Sequence, residues 1–198
     1  MSSIELFQNK TDCCGCSACY NVCPRKAISM QEDEYGYVYP VIDQDKCVGC
    51  GLCRKVCHYQ ADKELRTPIK AYAAAGKKEE FLKKAASGGM FSLVADKILE
   101  EGGVVFGAAM EYHNNTLIPK HIAVESKEEL FKLQGSKYVQ SFIGNTYAEA
   151  KKYLADGRKV LFSGTPCQIE GLKGYLGREY ENLYTIDIIC HGVPNAKW

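Results

Sequence analysis

The sequence lacks a surplus of charge of either sign: its 198 residues carry 25 Lys and Arg against 24 Asp and Glu, a formal net charge of +1. Nucleic-acid binding usually needs a clearly basic face, so this balance argues against that partner class. It also lacks a long hydrophobic run. The longest candidate, Met90 to Met110, is broken by Asp96, Lys97, Glu100 and Glu101, and no stretch approaches the ~18 apolar residues of a membrane span. No apolar segment of secretory type follows Met1, and Glu5 comes quickly. The expected setting is therefore soluble, reducing and cytoplasmic. Neither a Walker loop nor a G-x-G-x-x-G turn is present, so nucleotide hydrolysis and a standard dinucleotide site lack support. The 46% hydrophobic content excludes a mainly disordered chain.

What the sequence has in excess is cysteine, 11 residues, nine of them before residue 58. An odd number cannot all pair within one chain, and in a reducing setting clustered cysteines point to metal or redox chemistry. Cys13, Cys16, Cys19 and Cys23 read C-x2-C-x2-C-x3-C before Pro24, and Cys47, Cys50, Cys53 and Cys57 repeat the spacing before His58. An offset of 34 carries each cysteine onto its counterpart, and Gly15 onto Gly49. Three thiolates at x2 intervals wrap one face of a [4Fe-4S] cubane, and the glycines let the backbone approach it. The residue after x3 already points into the following helix, so the fourth ligand comes from the other repeat. Cys13, Cys16, Cys19 and Cys57 are thus expected to hold one cluster, and Cys47, Cys50, Cys53 and Cys23 the other. This segment resembles a bacterial two-cluster ferredoxin, although His58 stands where that family has its second proline. Structural zinc is the competing interpretation, but zinc favours separated C-x2-C pairs over a doubled three-plus-one pattern. Cys14, the extra thiol, is expected not to be a ligand.

The remainder predicts an α/β domain. Tyr35 to Ile42 suggests a hairpin over the clusters, with Pro40 marking an edge; its three tyrosines are either a shield against water or ordinary sheet-surface aromatics. Residues 59–69 suggest a linker, and the domains are placed at 1–65 (two-cluster ferredoxin type) and 66–198 (α/β). Expected strands lie at 70–76, 103–109, 117–124, 159–163 and 185–190. Expected helices follow Ser87-Gly88-Gly89, follow a capping box at Ser126-x-x-Glu129, and run from Asn145 to Ala155. The fold class is therefore α+β: a ferredoxin-like domain followed by an α/β domain. Ser87-Gly88-Gly89 at a helix start suits a phosphate. Cys167 and Cys190 sit at strand ends, where α/β folds place ligands. His113, His121 and His191 are acid–base candidates by residue type only.

Four segments together resemble the β subunits of coenzyme F-420 hydrogenases and dehydrogenases: Ser87-Gly-Gly, Gly135-Ser-Lys-Tyr-Val-Gln-Ser141, Gly164-Thr-Pro-Cys-Gln-Ile169 with Gly171-Leu172, and Cys190-His-Gly-Val-Pro194. The resemblance implies an iron–sulfur flavoprotein oxidoreductase, with electrons passing between two [4Fe-4S] clusters and FAD and on to a deazaflavin or another acceptor. Its partner would be a redox protein or a small-molecule electron acceptor. Ser87, Gly88, Gly89, Lys137 and Tyr138 would contact the flavin. Cys167 and Cys190 match ligands of a third cluster that some members complete with a later C-x2-C pair. That pair is absent here, which leads us to expect part of a longer protein, with weak or no FAD binding by this chain alone and tight binding by the longer one. The alternative is an electron-carrier ferredoxin module that docks a partner enzyme and catalyses nothing itself.

Overall fold

The computed structural model describes residues 4–60, 67–77, 79–85 and 87–195. The repeat seen in the sequence is visible in the backbone. Gly15 and Gly49 both have positive φ, 65° and 69°, and so do Ser17 and Gly51, 63° and 73°, each of which caps a short helix. These helices are α1 (Ala18–Val22) and α2 (Leu52–Lys55). Between them lies an antiparallel hairpin of β1 (Ile28–Glu32) and β2 (Val38–Ile42). The sequence pattern had located only its second strand. Leu6, Ile28 and Cys53 form the small core of this lobe.

The second lobe has a four-stranded sheet ordered β4-β3-β5-β6. Its strands are β3 (Val104–His113), β4 (Thr116–Val124), β5 (Val160–Gly164) and β6 (Leu183–Asp187). β3 and β4 form a hairpin through Asn114 and Asn115, both at positive φ, as a tight primed turn requires. β3, β5 and β6 run parallel. Besides the short α3 (Glu79–Lys83), three longer helices cover the sheet: α4 (Met90–Glu100), α5 (Thr146–Ala155) and α6 (Pro166–Leu176).

Successive strand residues face opposite sides, and both sides of this sheet are buried. Val105 and Leu161 pack with Ala95, Ile98 and Leu99 of α4. Val104, Phe106, Val160 and Phe162 pack with Tyr147 of α5 and Leu172 of α6. A strand buried on both faces reads as a continuous apolar run, which is why Val104-Val-Phe and Val160-Leu-Phe stood out. Ala18 and Val56 of the first lobe join this second core, so the cluster-binding repeats rest on α6.

Several expected elements differ. Residues 71–75 are exposed coil rather than a strand: alanines bury little area, and the segment's Gly76 N–H donates to the Gly88 carbonyl at 2.7 Å instead of to a sheet edge. Ser126 makes no capping hydrogen bond, its side chain bonding the Glu128 carboxylate instead, and Lys127–Lys132 is a 3-10 turn. β6 ends at Asp187, three residues before Cys190. The expected domain boundary near 65 lies outside the described residues.

Candidate functional site

Two cavities form in the first lobe. Cys13, Cys16, Cys19 and Cys57 line one, walled by Leu6, Phe7, Pro40 and Tyr59. Cys23, Cys47, Cys50 and Cys53 line the other, beside Ile4, Ile28 and Ile42. Each cavity thus combines the three x2-spaced thiols of one repeat with the last thiol of the other, and Cys14 lines the first as an extra thiol. The backbone explains the exchange: Cys23 caps the end of α1 and Cys57 follows the end of α2, so each helix carries its last cysteine away from its own loop. Of the three tyrosines of the hairpin, Tyr35 is 66% exposed and Tyr37 and Tyr39 are half-buried, and none of them lines the cavity; its aromatic walls are Phe7 and Tyr59.

The thiol chemistry fits iron–sulfur clusters. All eleven thiols are free. Burial, then neighbouring sulfurs, pushes Cys13 up to about 11, and raises Cys19 further. Such thiols deprotonate only opposite a strong local cation, which metal supplies. Gly15 N–H donates to Cys13 Sγ at 3.5 Å and Ala27 N–H to Cys23 Sγ at 3.3 Å, the contacts that stabilise a ligating sulfur. A Cβ at Gly15 would lie 2.5 Å from the Val38 carbonyl oxygen, so that loop closes only around glycine.

A third, larger cavity of about 350 Å³ lies between the lobes, in the size range of ligand pockets. Its walls include Ser163, Gly164 and Ile186 at the carboxyl ends of β5 and β6, and Met90 and Cys167 at the starts of α4 and α6. Ser87, Gly89, Lys137 and Tyr138 line it as well, whereas Gly88 does not; a Cβ there would meet the Ala74 carbonyl at 2.4 Å. Lys137 Nζ donates to the Lys132 and Gln134 carbonyls at 3.1 and 2.8 Å, closing the 3-10 turn, and burial lowers its pKa. Cys14 and Gly15 belong to the wall, so the first cluster loop borders the large cavity directly.

Cys167 and Cys190 part company. Cys167 is half-buried, with its Sγ 3.1 Å from Thr165 Oγ1, and it lines the same cavity as Cys14. The Cys14 Sγ lies 3.9 Å from His58 Nε2; its neighbours Cys16 and Cys167 raise its pKa, and it lowers theirs. Cys190 lies in the loop past β6, accepting from Gly192 N–H at 3.4 Å, and does not line the cavity. Neither His113 nor His191 lines it.

His121 does, and it is 1% exposed. Its Nε2 lies 3.0 Å from the Ser163 carbonyl, which can only accept, so Nε2 carries the hydrogen. Nδ1 then accepts from Ser141 Oγ at 3.0 Å. Ser141 Oγ accepts from Gln168 Nε2 at 3.1 Å, and Gln168 Oε1 accepts from Thr165 N–H at 3.0 Å. Burial holds the imidazole neutral by lowering its pKa to about 4. Between pH 6.5 and 4 the unfolded chain therefore takes a proton that the folded chain refuses. The associated stability is complete above pH 6.5 and falls by roughly 3 kcal/mol on acidification to pH 4. Urea midpoints measured across this range should fall more steeply for the native protein than for His121→Gln; equal slopes would contradict a buried neutral histidine.

Sequence reasoning missed the packing role of Gly171 and Gly174. Both lie on the face of α6 that meets the first lobe. A Cβ at Gly171 would lie 3.1 Å from Cys16 Cβ, and one at Gly174 2.4 Å from the Val56 carbonyl oxygen. Glycine inside a helix costs about 1 kcal/mol against alanine; here it lets the cluster loops approach closely.

A two-cluster ferredoxin fold seated on a mostly parallel α/β sheet, with a cavity at the strand ends, defines an iron–sulfur electron-transfer protein. Comparison with protein families agrees. Residues 12–61 match the 4Fe-4S dicluster domain, 71–145 the N-terminal part of the coenzyme F-420 hydrogenase/dehydrogenase β subunit, and 157–197 its C-terminal part. The chain belongs to that β-subunit family and carries a dicluster domain ahead of it. A coenzyme F-420-dependent sulfite reductase of Methanocaldococcus jannaschii is 24% identical over 191 residues, 92% of this chain and 28% of the reductase. An anaerobic dimethyl sulfoxide reductase polypeptide of Escherichia coli is 44% identical over 48 residues, 24% of this chain and 22% of that protein. One polypeptide of the F-420-reducing [NiFe] hydrogenase complex of Methanosarcina barkeri has a similar fold, with a TM-score of 0.50 and 23% identity, covering 68% of this chain and 50% of its own length. The chain thus spans about half or less of these proteins. Among the described residues, no helix is long and apolar enough to cross a membrane.

Proposed function

We propose that the chain carries electrons singly through two [4Fe-4S] clusters to a flavin in the large cavity, where they leave in pairs for a deazaflavin or another acceptor. The observation that carries this is the shared wall: Cys14 and Gly15 border both the Cys13–Cys16–Cys19–Cys57 cavity and the large one. When bound, the clusters supply one-electron steps and the flavin supplies exchange between one-electron and two-electron chemistry. Cys13, Cys16, Cys19 and Cys57 would hold the inner cluster, and Cys23, Cys47, Cys50 and Cys53 the outer one. Cys50 is exposed and sits beside Val48, 55% exposed, which suits entry of electrons from a redox partner at the outer cluster. Ser87 and Gly89 would receive the pyrophosphate at the start of α4, and Lys137 and Tyr138 would flank the flavin. Neutral His121 orients Ser141 and Gln168 along the cavity wall. The test is titration of anaerobically reconstituted protein with FAD, followed by flavin fluorescence. Saturable quenching at one FAD per chain is expected of the longer protein and weak or no quenching of this chain alone, the former reduced by a bulky substitution such as Gly164→Leu in the wall. An unaltered FAD signal from the longer protein that the sequence leads us to expect would instead favour a ferredoxin module that docks a partner enzyme and catalyses nothing itself.

A further inference from the structure

The outer-cluster cavity opens on a surface with a charge pattern of its own. Arg25, Val48, Cys50 and Leu52 line it, and all four are exposed. Nothing lies within 4 Å of a Cβ built at Gly49 or Gly51, so the loop between them is uncovered. Cations surround it. Arg25, Lys26, Lys46, Arg54 and Lys55 are all exposed, and each lies within three residues along the chain of Cys23, Cys47 or Cys53. Asp45 is the one carboxylate within the same reach of these thiols. Lys46 pairs with Asp43 at 2.7 Å, and Arg54 bonds the neutral Gln60 side chain at 3.4 Å. Arg25, Lys26 and Lys55 make no ion pair among the described residues. A chain with a net charge of only +1 thus gathers positive charge around its outer cluster site.

We propose that this face docks an acidic electron-carrier protein, one whose own redox centre sits in an apolar patch ringed by carboxylates. The proposal rests on the electron route given above. An apolar centre inside a polar rim is the general layout of a protein interface, and Val48 and Leu52 supply that centre here. Opposite charges in the two rims speed encounter more than they strengthen the complex, which suits a carrier that must leave after each electron. One electron passes from carrier to outer cluster, oxidising the first and reducing the second, with no bond made or broken. An anionic lipid surface would meet the same cations, but exposed Cys50 puts a cluster ligand within the face, where only a redox partner makes use of it.

The test uses protein reconstituted anaerobically with iron and sulfide, and two carriers of opposite charge: an acidic plant-type [2Fe-2S] ferredoxin and basic cytochrome c. A carbodiimide, which joins lysine amines to carboxylates directly, is applied to each mixture and the links are mapped by mass spectrometry. Links from the ferredoxin to Lys26 or Lys55 are expected; links to other lysines alone would overturn the proposal. Stopped-flow absorbance then follows electron transfer from reduced ferredoxin to the protein, and from the reduced protein to cytochrome c. Raising salt from about 20 to about 300 mM should slow the ferredoxin reaction about tenfold and speed that of cytochrome c. Arg54→Glu with Lys55→Glu should slow the ferredoxin reaction about tenfold at low salt and flatten its salt dependence, with iron retained. Arg25→Gln with Lys26→Gln should act in the same direction without altering α2. Lys120→Glu with Lys152→Glu, an equal charge change on the other lobe, should alter the rate less than about twofold. Equal salt responses for the two carriers would overturn the proposal. So would sedimentation with phosphatidylserine vesicles in place of cross-linking, which would make the face a membrane contact. The expected links without electron transfer would uphold the docking face and refute the electron route, so the two failures are distinct.

Discussion

Cys19→Ser and Cys57→Ser should each remove about half of the roughly eight irons that two cubanes hold, and the double substitution should remove no more than either alone. Cys19→Ser with Cys23→Ser should remove nearly all. The prediction separates exchanged ligands from ligands kept within one repeat, which would give the opposite pattern. It follows from the lining of the two cavities: Cys19 and Cys57 face one, and Cys23 faces the other. A thiolate replaced by a serine hydroxyl leaves a buried cluster short of one negative ligand, and the remaining three do not retain it against solvent. Cys14→Ser serves as the control and should keep both clusters, because its thiol is surplus to each set of four. Iron and inorganic sulfide assays on the purified variants decide between the two arrangements.

Gly174→Val should have the second large effect, and at a distance from any cysteine. The new Cβ would fall 2.4 Å from the Val56 carbonyl oxygen, and backbone atoms are the only close neighbours there. Relief requires movement of the loop that presents the next residue, Cys57. Overpacking of this kind costs roughly 1–3 kcal/mol, so the melting temperature should drop. Iron should also fall by about half, with the loss confined to the cluster that depends on Cys57. Gly177→Val offers a contrast: nothing lies within 4 Å of a Cβ there, so any loss of stability should come from its positive φ alone, with iron unchanged. Equal iron loss in the two variants would show that helix strain, rather than the contact with Val56, is responsible.

The sequence alone determined the parts of this protein that depend on local spacing. The doubled C-x2-C-x2-C-x3-C pattern located both cluster loops, because wrapping a cubane requires cysteines at fixed short intervals whatever surrounds them. The apolar runs at Val104 and Val160 marked the central strands, because burial on both faces removes polar positions. Ser87-Gly88-Gly89 marked the start of α4, because Gly89 takes a left-handed conformation there. Tertiary structure decided everything that needs two distant segments to meet. Residues 70–76 are apolar enough for a strand, yet no sheet edge receives them. Ser126 and Glu129 have capping-box spacing, yet the Ser126 side chain bonds Glu128 and no cap forms. Thr165 and Gln168 form the capping box that the structure does contain, at the start of α6. Gly171 and Gly174 look like weak points in a helix until the cluster loops are placed against them. Cys167 carried no indication that it would share a cavity wall with Cys14 rather than with Cys190, since the meeting of residues so far apart is set by how α6 packs on the ferredoxin lobe and by no local preference of the chain.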